Sequence, residues 1–146
     1  DITGRSTALS TYWESGMTSL HGIHVHGFPN LFIVGVAQGG ALISNIPHNL
    51  VEAAETVAEV IAESQRRGAT VVEVTDTAER EWIDQLRAGN RRFAGDPDCT
   101  PGYYNNEGRP AERSVRNGSY GGGSPGFSRL LEQWRAEGSL AGLETD

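Results

Sequence analysis

The residues best placed to do chemistry form a glycine-bearing turn, Gly35-Val36-Ala37-Gln38-Gly39-Gly40. It stands between the apolar run Leu31-Phe32-Ile33-Val34 and a stretch that starts a helix at Asn45 or Ile46. Glycine leaves backbone N–H groups uncovered, and the first N–H groups of a helix point outward with about half a positive charge. Such a junction suits the electron-rich edge of a ligand. The spacing is Gly-x-x-x-Gly-Gly and not Gly-x-Gly-x-x-Gly, which suits a flat ring over backbone better than a pyrophosphate. A turn that merely joins strand to helix is the alternative.

Other reactive side chains are weaker candidates. His24 and His26 lie two apart, as on one face of a strand, and His21 could add a third metal ligand. A metal site also needs a fourth ligand and supporting partners. No Cys or carboxylate cluster stands nearby, so the trio reads as a polar connector and no metal is assigned. His48 falls in the first turn of the helix and reads as a surface or capping residue. Cys99 sits beside Asp96 and Asp98, which disfavour a thiolate. The run Tyr103-Tyr104-Asn105-Asn106 can stack on a planar ligand and bond its edges, or anchor a loop to its own core. Arg109, Arg113 and Arg116 can receive a phosphate or remain solvated. Asn117-Gly118-Ser119 fits a turn better than a glycosylation site.

The elements that must position these residues are readable from periodicity. Leu31–Val34 has the character of a strand buried on both faces. A helix is expected from Asn45 or Ile46 to Arg67, with Asn45 as cap, Pro47 in the first turn and Gly68 as stop. Ile46, Leu50, Ala53, Ala54, Val57 and Ile61 form its apolar stripe, with Glu52, Glu55, Glu59 and Glu63 on the wet side. Residues 69–75 are β-branched and read as a strand. Asp76 with Glu79 predicts a capping box for a helix through Ala88, ended by Gly89, with Ala78, Trp82, Ile83 and Leu86 inward. Ser124-Pro125 starts a last helix that carries Phe127, Leu130, Leu131 and Trp134 and closes at Gly138. Residues 96–125 should be ordered only where they lie across another surface. The class is α/β.

Composition narrows the function. The chain has 146 residues, the size of one modest domain, and a net charge of −7. That balance argues against a nucleic-acid module. Every one of the 12 basic residues is Arg, which excludes Schiff-base or P-loop lysine chemistry within this chain. One Cys, no signal peptide and no bilayer-length apolar run point to the cytoplasm. Residues 1–50 carry only Asp1, Arg5 and Glu14 as charges, as in a segment enclosed by something larger. The chain starts within a pattern and without Met, so we expect the C-terminal part of a longer polypeptide.

Further motifs make a family recognisable. Gly4-Arg5, Leu9-x-x-x-Trp13-x-x-Gly16, His21-Gly22 and Gly27-Phe28-Pro29-Asn30-Leu31-Phe32 resemble the C-terminal third of Baeyer–Villiger monooxygenases. The likeness continues through Ser44-Asn45, the long helix, Glu81-Trp82, Cys99-Thr100-Pro101-Gly102-Tyr103-Tyr104 and Tyr120-Gly121-Gly122. The resemblance implies a Rossmann-like flavoprotein with two dinucleotide-binding domains, using FAD and NADPH to insert one oxygen atom from O2 next to a ketone carbonyl. Residues 1–68 would close the FAD-binding domain, with Leu31–Val34 as its last strand. Residues 69–146 would be an extension packing toward the NADPH domain. Gly35, Val36, Ala37, Gln38, Asn45 and Ile46 would contact the flavin, Leu42 and Ile43 would shape the substrate pocket, and Tyr103 would pack near NADPH. The family's turn is usually richer in Pro and Ser than Ala37-Gln38-Gly39-Gly40, which bears on substrate preference.

Both Gly-x-Gly-x-x-Gly fingerprints, the family's signature motif and the Arg it uses beside the flavin are missing from this sequence. No catalytic residue is therefore assigned, and the chain alone is expected to be inactive. Its partners would be the N-terminal FAD and NADPH regions of the same polypeptide. An N- or S-oxidising flavin monooxygenase, a free-standing binding module and a small His-rich metal protein are the competing readings.

Overall fold

The computed structural model describes residues 1–39, 45–89, 100–101, 107, 116 and 118–146. Along the chain come a single helical turn α1 (Leu9–Tyr12), the long helix α2 (Ile46–Arg66), strand β1 (Val72–Val74) and helix α3 (Asp76–Gly89). Helix α4 (Gly123–Glu137) and strand β2 (Leu143–Thr145) follow. The two strands form an antiparallel ribbon with Val72 opposite Thr145 and Val74 opposite Leu143. No apolar run suggested β2. Its sequence is short and half-polar, and it is recruited by the exposed edge of β1.

Helices α3 and α4 follow their sequence signals closely. The inward face of α3 is Glu79, Trp82, Ile83 and Leu86. Gly138 ends α4 in the left-handed conformation at φ 61, where a glycine is unstrained. Leu20, Val74, Trp82, Ile83, Leu86, Phe127 and Leu131 make one core, and Val60, Val72 and Leu140 a second. Full burial of a Leu or Ile contributes about 1.5–3 kcal/mol. The start of α3 differs from a capping box. Thr75, not Asp76, accepts the Ala78 N–H on its Oγ1 at 3.1 Å, while Glu79 turns into the interior.

Two expectations need correction. Leu31–Val34 is not a doubly buried strand: Phe32 makes one isolated bridge to His24, and Val34 is half-exposed. Among the described residues nothing further pairs with it, so its outer face stays open. The second correction concerns α2. Its buried face is Asn49, Glu52, Ala53, Thr56, Val60 and Ser64, while Ile46, Ala54 and Ile61 of the expected stripe are exposed. The cause lies in α4, which packs on it. Arg135 bonds Thr56 Oγ1 at 2.9 Å and reaches the Glu52 carboxylate at 3.5 Å, so Glu52 is enclosed as part of an ion pair. Thr56 and Ser64 donate to carbonyls of their own helix at 2.8 and 2.7 Å, which lets small polar residues line a buried face.

Residues 16–28 are mostly buried without forming a regular element. They fold around a tight turn in which His21 and Gly22 both have positive φ, 58 and 74, and the Ile23 N–H donates to the Leu20 carbonyl at 3.0 Å. Asn30 then docks the segment on the entrance of β1. It accepts the Val72 N–H at 2.9 Å and donates to the Thr70 carbonyl at 3.0 Å.

Candidate cofactor turn and its support

The turn after Val34 lies on the surface for three residues and then dives inward. Gly35 and Val36 are half-buried and Ala37 is exposed, whereas Gln38 is completely buried. Gln38 stands at φ 62, a region that L residues rarely occupy. Its Oε1 accepts from Ser19 Oγ and, at 3.2 Å, from Trp82 Nε1. Its Nε2 donates to the carbonyls of Met17 at 2.9 Å and Arg116 at 2.7 Å. Ser19 Oγ in turn accepts the Gly22 N–H at 3.0 Å. The underside of the turn is close-packed. A Cβ on Gly22 would stand 2.4 Å from the Ala37 carbonyl oxygen, and one on Gly39 would stand 2.8 Å from the Phe127 ring.

Helix α2 presents its N-terminus without a carboxylate in the first turn. Asn45 occupies the cap position, but its side chain makes no capping hydrogen bond, contrary to expectation. Asn45 and Ile46 are exposed. A partly exposed stretch at Gly35–Ala37 and a helix start bare of negative charge fit an electron-rich ring edge. The Gln38 amide is fully engaged inside the turn. Leu42, Ile43 and Tyr103 lie outside the described residues, as do Cys99, Tyr104, Arg109 and Arg113. Arg116 offers its backbone carbonyl to Gln38.

The histidines go to different neighbours. His21 is wedged edge-on between Trp82 and Trp134, with ring centroids 5.0 and 5.5 Å away. His24 packs against Phe32, and His26 bonds the Val74 carbonyl through Nδ1 at 2.8 Å. Burial lowers the pKa of His21 to about 4; burial and the neighbouring His21 lower that of His24 to about 3. Both rings are neutral at pH 7. Among the described residues no group of three or more His, Cys, Asp or Glu could hold a metal ion.

Sequence reasoning missed Glu79. This buried carboxylate accepts from Tyr12 OH at 2.6 Å and from the His26 N–H at 3.0 Å. Burial raises its pKa, and burial beside it raises that of Tyr12. The available signal was position: Glu79 shares the inward stripe of Trp82, Ile83 and Leu86.

No protein-family model matches the chain. Individual relatives do. Neopentalenolactone D synthase of Streptomyces avermitilis is 44% identical over 145 residues, covering 98% of this chain and 24% of that protein. A Baeyer–Villiger monooxygenase of Stachybotrys chlorohalonatus is 37% identical, covering 94% of this chain and 22% of its own length. The chain is homologous to a part of Baeyer–Villiger monooxygenases. It spans about a quarter of the curated relatives it matches. Among solved structures, a polycyclic ketone monooxygenase from Thermothelomyces thermophila superposes with a TM-score of 0.85 at 33% identity, covering 98% of this chain and 23% of that one. The irregular, buried segment 16–28 and the helices α2–α4 thus have counterparts in a Baeyer–Villiger-type scaffold. Among the described residues no helix is long and apolar enough to cross a membrane.

Proposed function

We propose that this chain is the C-terminal quarter of an FAD- and NADPH-dependent monooxygenase that inserts one oxygen atom from O2 beside a ketone carbonyl, giving an ester or lactone. The observation that carries this reading is 44% identity over 98% of the chain. In this reading residues 1–68 complete a Rossmann-like FAD domain and residues 69–146 form an extension toward the NADPH domain. FAD, when bound, supplies electron transfer and oxygen activation. Gly35, Val36 and Ala37 hold the flavin through their backbone. Asn45 and Ile46 turn the positive end of α2 toward the ring edge where negative charge gathers on reduction. Gln38 belongs to the support of the turn. Leu42 and Ile43 line the ketone pocket, and Tyr103 packs at the nicotinamide nucleotide. The exposed apolar side chains of Val34, Ile46, Val51 and Ile61 support the reading, since further polypeptide of such an enzyme would cover them. The site of action is the cytoplasm.

The test is the visible spectrum of the full-length protein before and after anaerobic NADPH, followed by oxygen and a ketone. A flavin band that bleaches with NADPH, returns with oxygen and accompanies ester or lactone formation is the expected result. Sulfoxide or N-oxide products with no ester would favour the N- or S-oxidising branch. Absence of flavin would end the reading. The isolated 146-residue chain is expected to show no oxygen-dependent NADPH turnover.

A further inference from the structure

Gln38 occupies a place where glycine would be the easier residue. Its φ of 62 is strained for any L side chain, and Gly39 follows immediately. What the position gains from a side chain is the amide, which is wholly buried and uses both acceptor and both donor positions. These four bonds run to three separate parts of the chain: the segment 17–22 through Met17 and Ser19, helix α3 through Trp82, and Arg116. A fifth tie lies next door, where the Tyr120 N–H donates to the Gly39 carbonyl at 3.1 Å.

We infer that Gln38 is a positioning residue: its buried amide sets how far the backbone of Gly35–Ala37 stands from the flavin ring and locks that height to α3 and to Arg116. The inference rests on the flavin reading above and deepens it. Below the turn, Gly22 leaves no room for the backbone to sink, because the Ala37 carbonyl already fills the space of a Cβ. Ala37 itself is exposed among the described residues. The turn is therefore held from one side by sterics and from the other by the tension of the Gln38 bonds. Loss of the amide frees Gly35–Ala37 to lift.

The experiment uses the full-length enzyme with Q38M, S19A and S19T. Methionine keeps the volume and removes all four bonds. The S19A variant removes one bond to Oε1, and S19T retains a hydroxyl. Hydrogen exchange of the amides at 35–39 is expected to speed about tenfold in Q38M, with a displaced visible flavin band. The anaerobic rate of flavin reduction at saturating NADPH should fall about tenfold, since small misplacements of an aligned group carry effects of this size. The NADPH concentration giving half that rate should stay within twofold. S19A should show the same pattern at about threefold, and S19T should restore it. Should Q38M fail to fold, the S19A and S19T pair decides. A wild-type band, exchange and reduction rate in these variants would overturn the inference, as would an equal loss in S19A and S19T. A wild-type enzyme without flavin would instead overturn the functional reading on which it rests.

Discussion

Residues 16–28 and helix α2 make opposite use of their sequences. The first segment has no regular element beyond a turn and two isolated bridges, yet most of its residues are buried. The second is a regular 21-residue helix that leaves Ile46, Val51 and Ile61 exposed. Regularity and enclosure are thus separate properties here. In 16–28, Trp13 and Gln38 donate to backbone carbonyls and Glu79 accepts a backbone N–H, which satisfies the backbone and so licenses burial. In α2 the backbone satisfies itself, and the side chains are left to find cover.

The largest expected effect comes from removing the centre of the enclosed region. Trp82→Ala should destabilise by about 3–5 kcal/mol from lost packing. A further ~0.5–1.5 kcal/mol should come from the lost bond of Trp82 Nε1 to the Gln38 oxygen, which keeps Ser19. Urea unfolding followed by the remaining tryptophans would measure it, and a loss below about 1 kcal/mol would break the contrast.

Acid comes next. The unfolded chain protonates His21 and His24 near pH 6.5, whereas the folded one resists until about pH 4 and about pH 3. A depressed histidine pKa places full stability above 6.5 and drains it as the pH falls. Each ring adds a slope of about 1.4 kcal/mol per pH unit. Urea midpoints at pH 7, 6 and 5 should decline, and H24F should halve the slope attributable to the pair. A flat profile would mean that the rings are not enclosed as described.

Adjacent residues of α2 sharpen the comparison on a finer scale. Val60 is fully buried and Ile61 is 41% exposed. In the 146-residue chain, V60A should cost about 2 kcal/mol and I61S less than ~0.5 kcal/mol. In the full-length enzyme the two should converge, because the remainder of the proposed FAD domain covers Ile61. Persistent divergence there would leave the apolar side of α2 without a partner. The smallest effect belongs to the exposed pair Asp76–Arg80, 2.8 Å apart on α3. R80A should shift stability by no more than ~0.5 kcal/mol in thermal melts.

What the sequence disclosed follows the same division. Local signals located α3 and α4 to within a residue or two, since Gly89, Ser124-Pro125 and Gly138 act through their own backbone preferences. The face that α2 buries was not local information. It depends on Arg135, 83 residues from Glu52, reaching across to make a carboxylate compatible with the interior. β2 and the inward role of Gln38 were hidden for the same reason, being defined by partners distant in the chain. The turn 35–38 and the start of α2 were legible as a glycine-bearing turn leading into a helix because glycine spacing and helix polarity are local. Which atoms of that junction remain available needed the Gln38 hydrogen bonds.

The ribbon of β1 and β2 also has a bearing on synthesis. Val72 leaves the ribosome long before its partner Thr145 exists. At roughly 5–20 residues per second the wait is on the order of 4–15 s. During that interval Val72 and Val74 are a nascent sticky edge, and Asn30 is positioned to shield its entrance by bonding Thr70 and Val72. Slower translation after residue 75 would lengthen that exposure, so codon choice between β1 and β2 becomes a determinant of how much of the protein escapes aggregation.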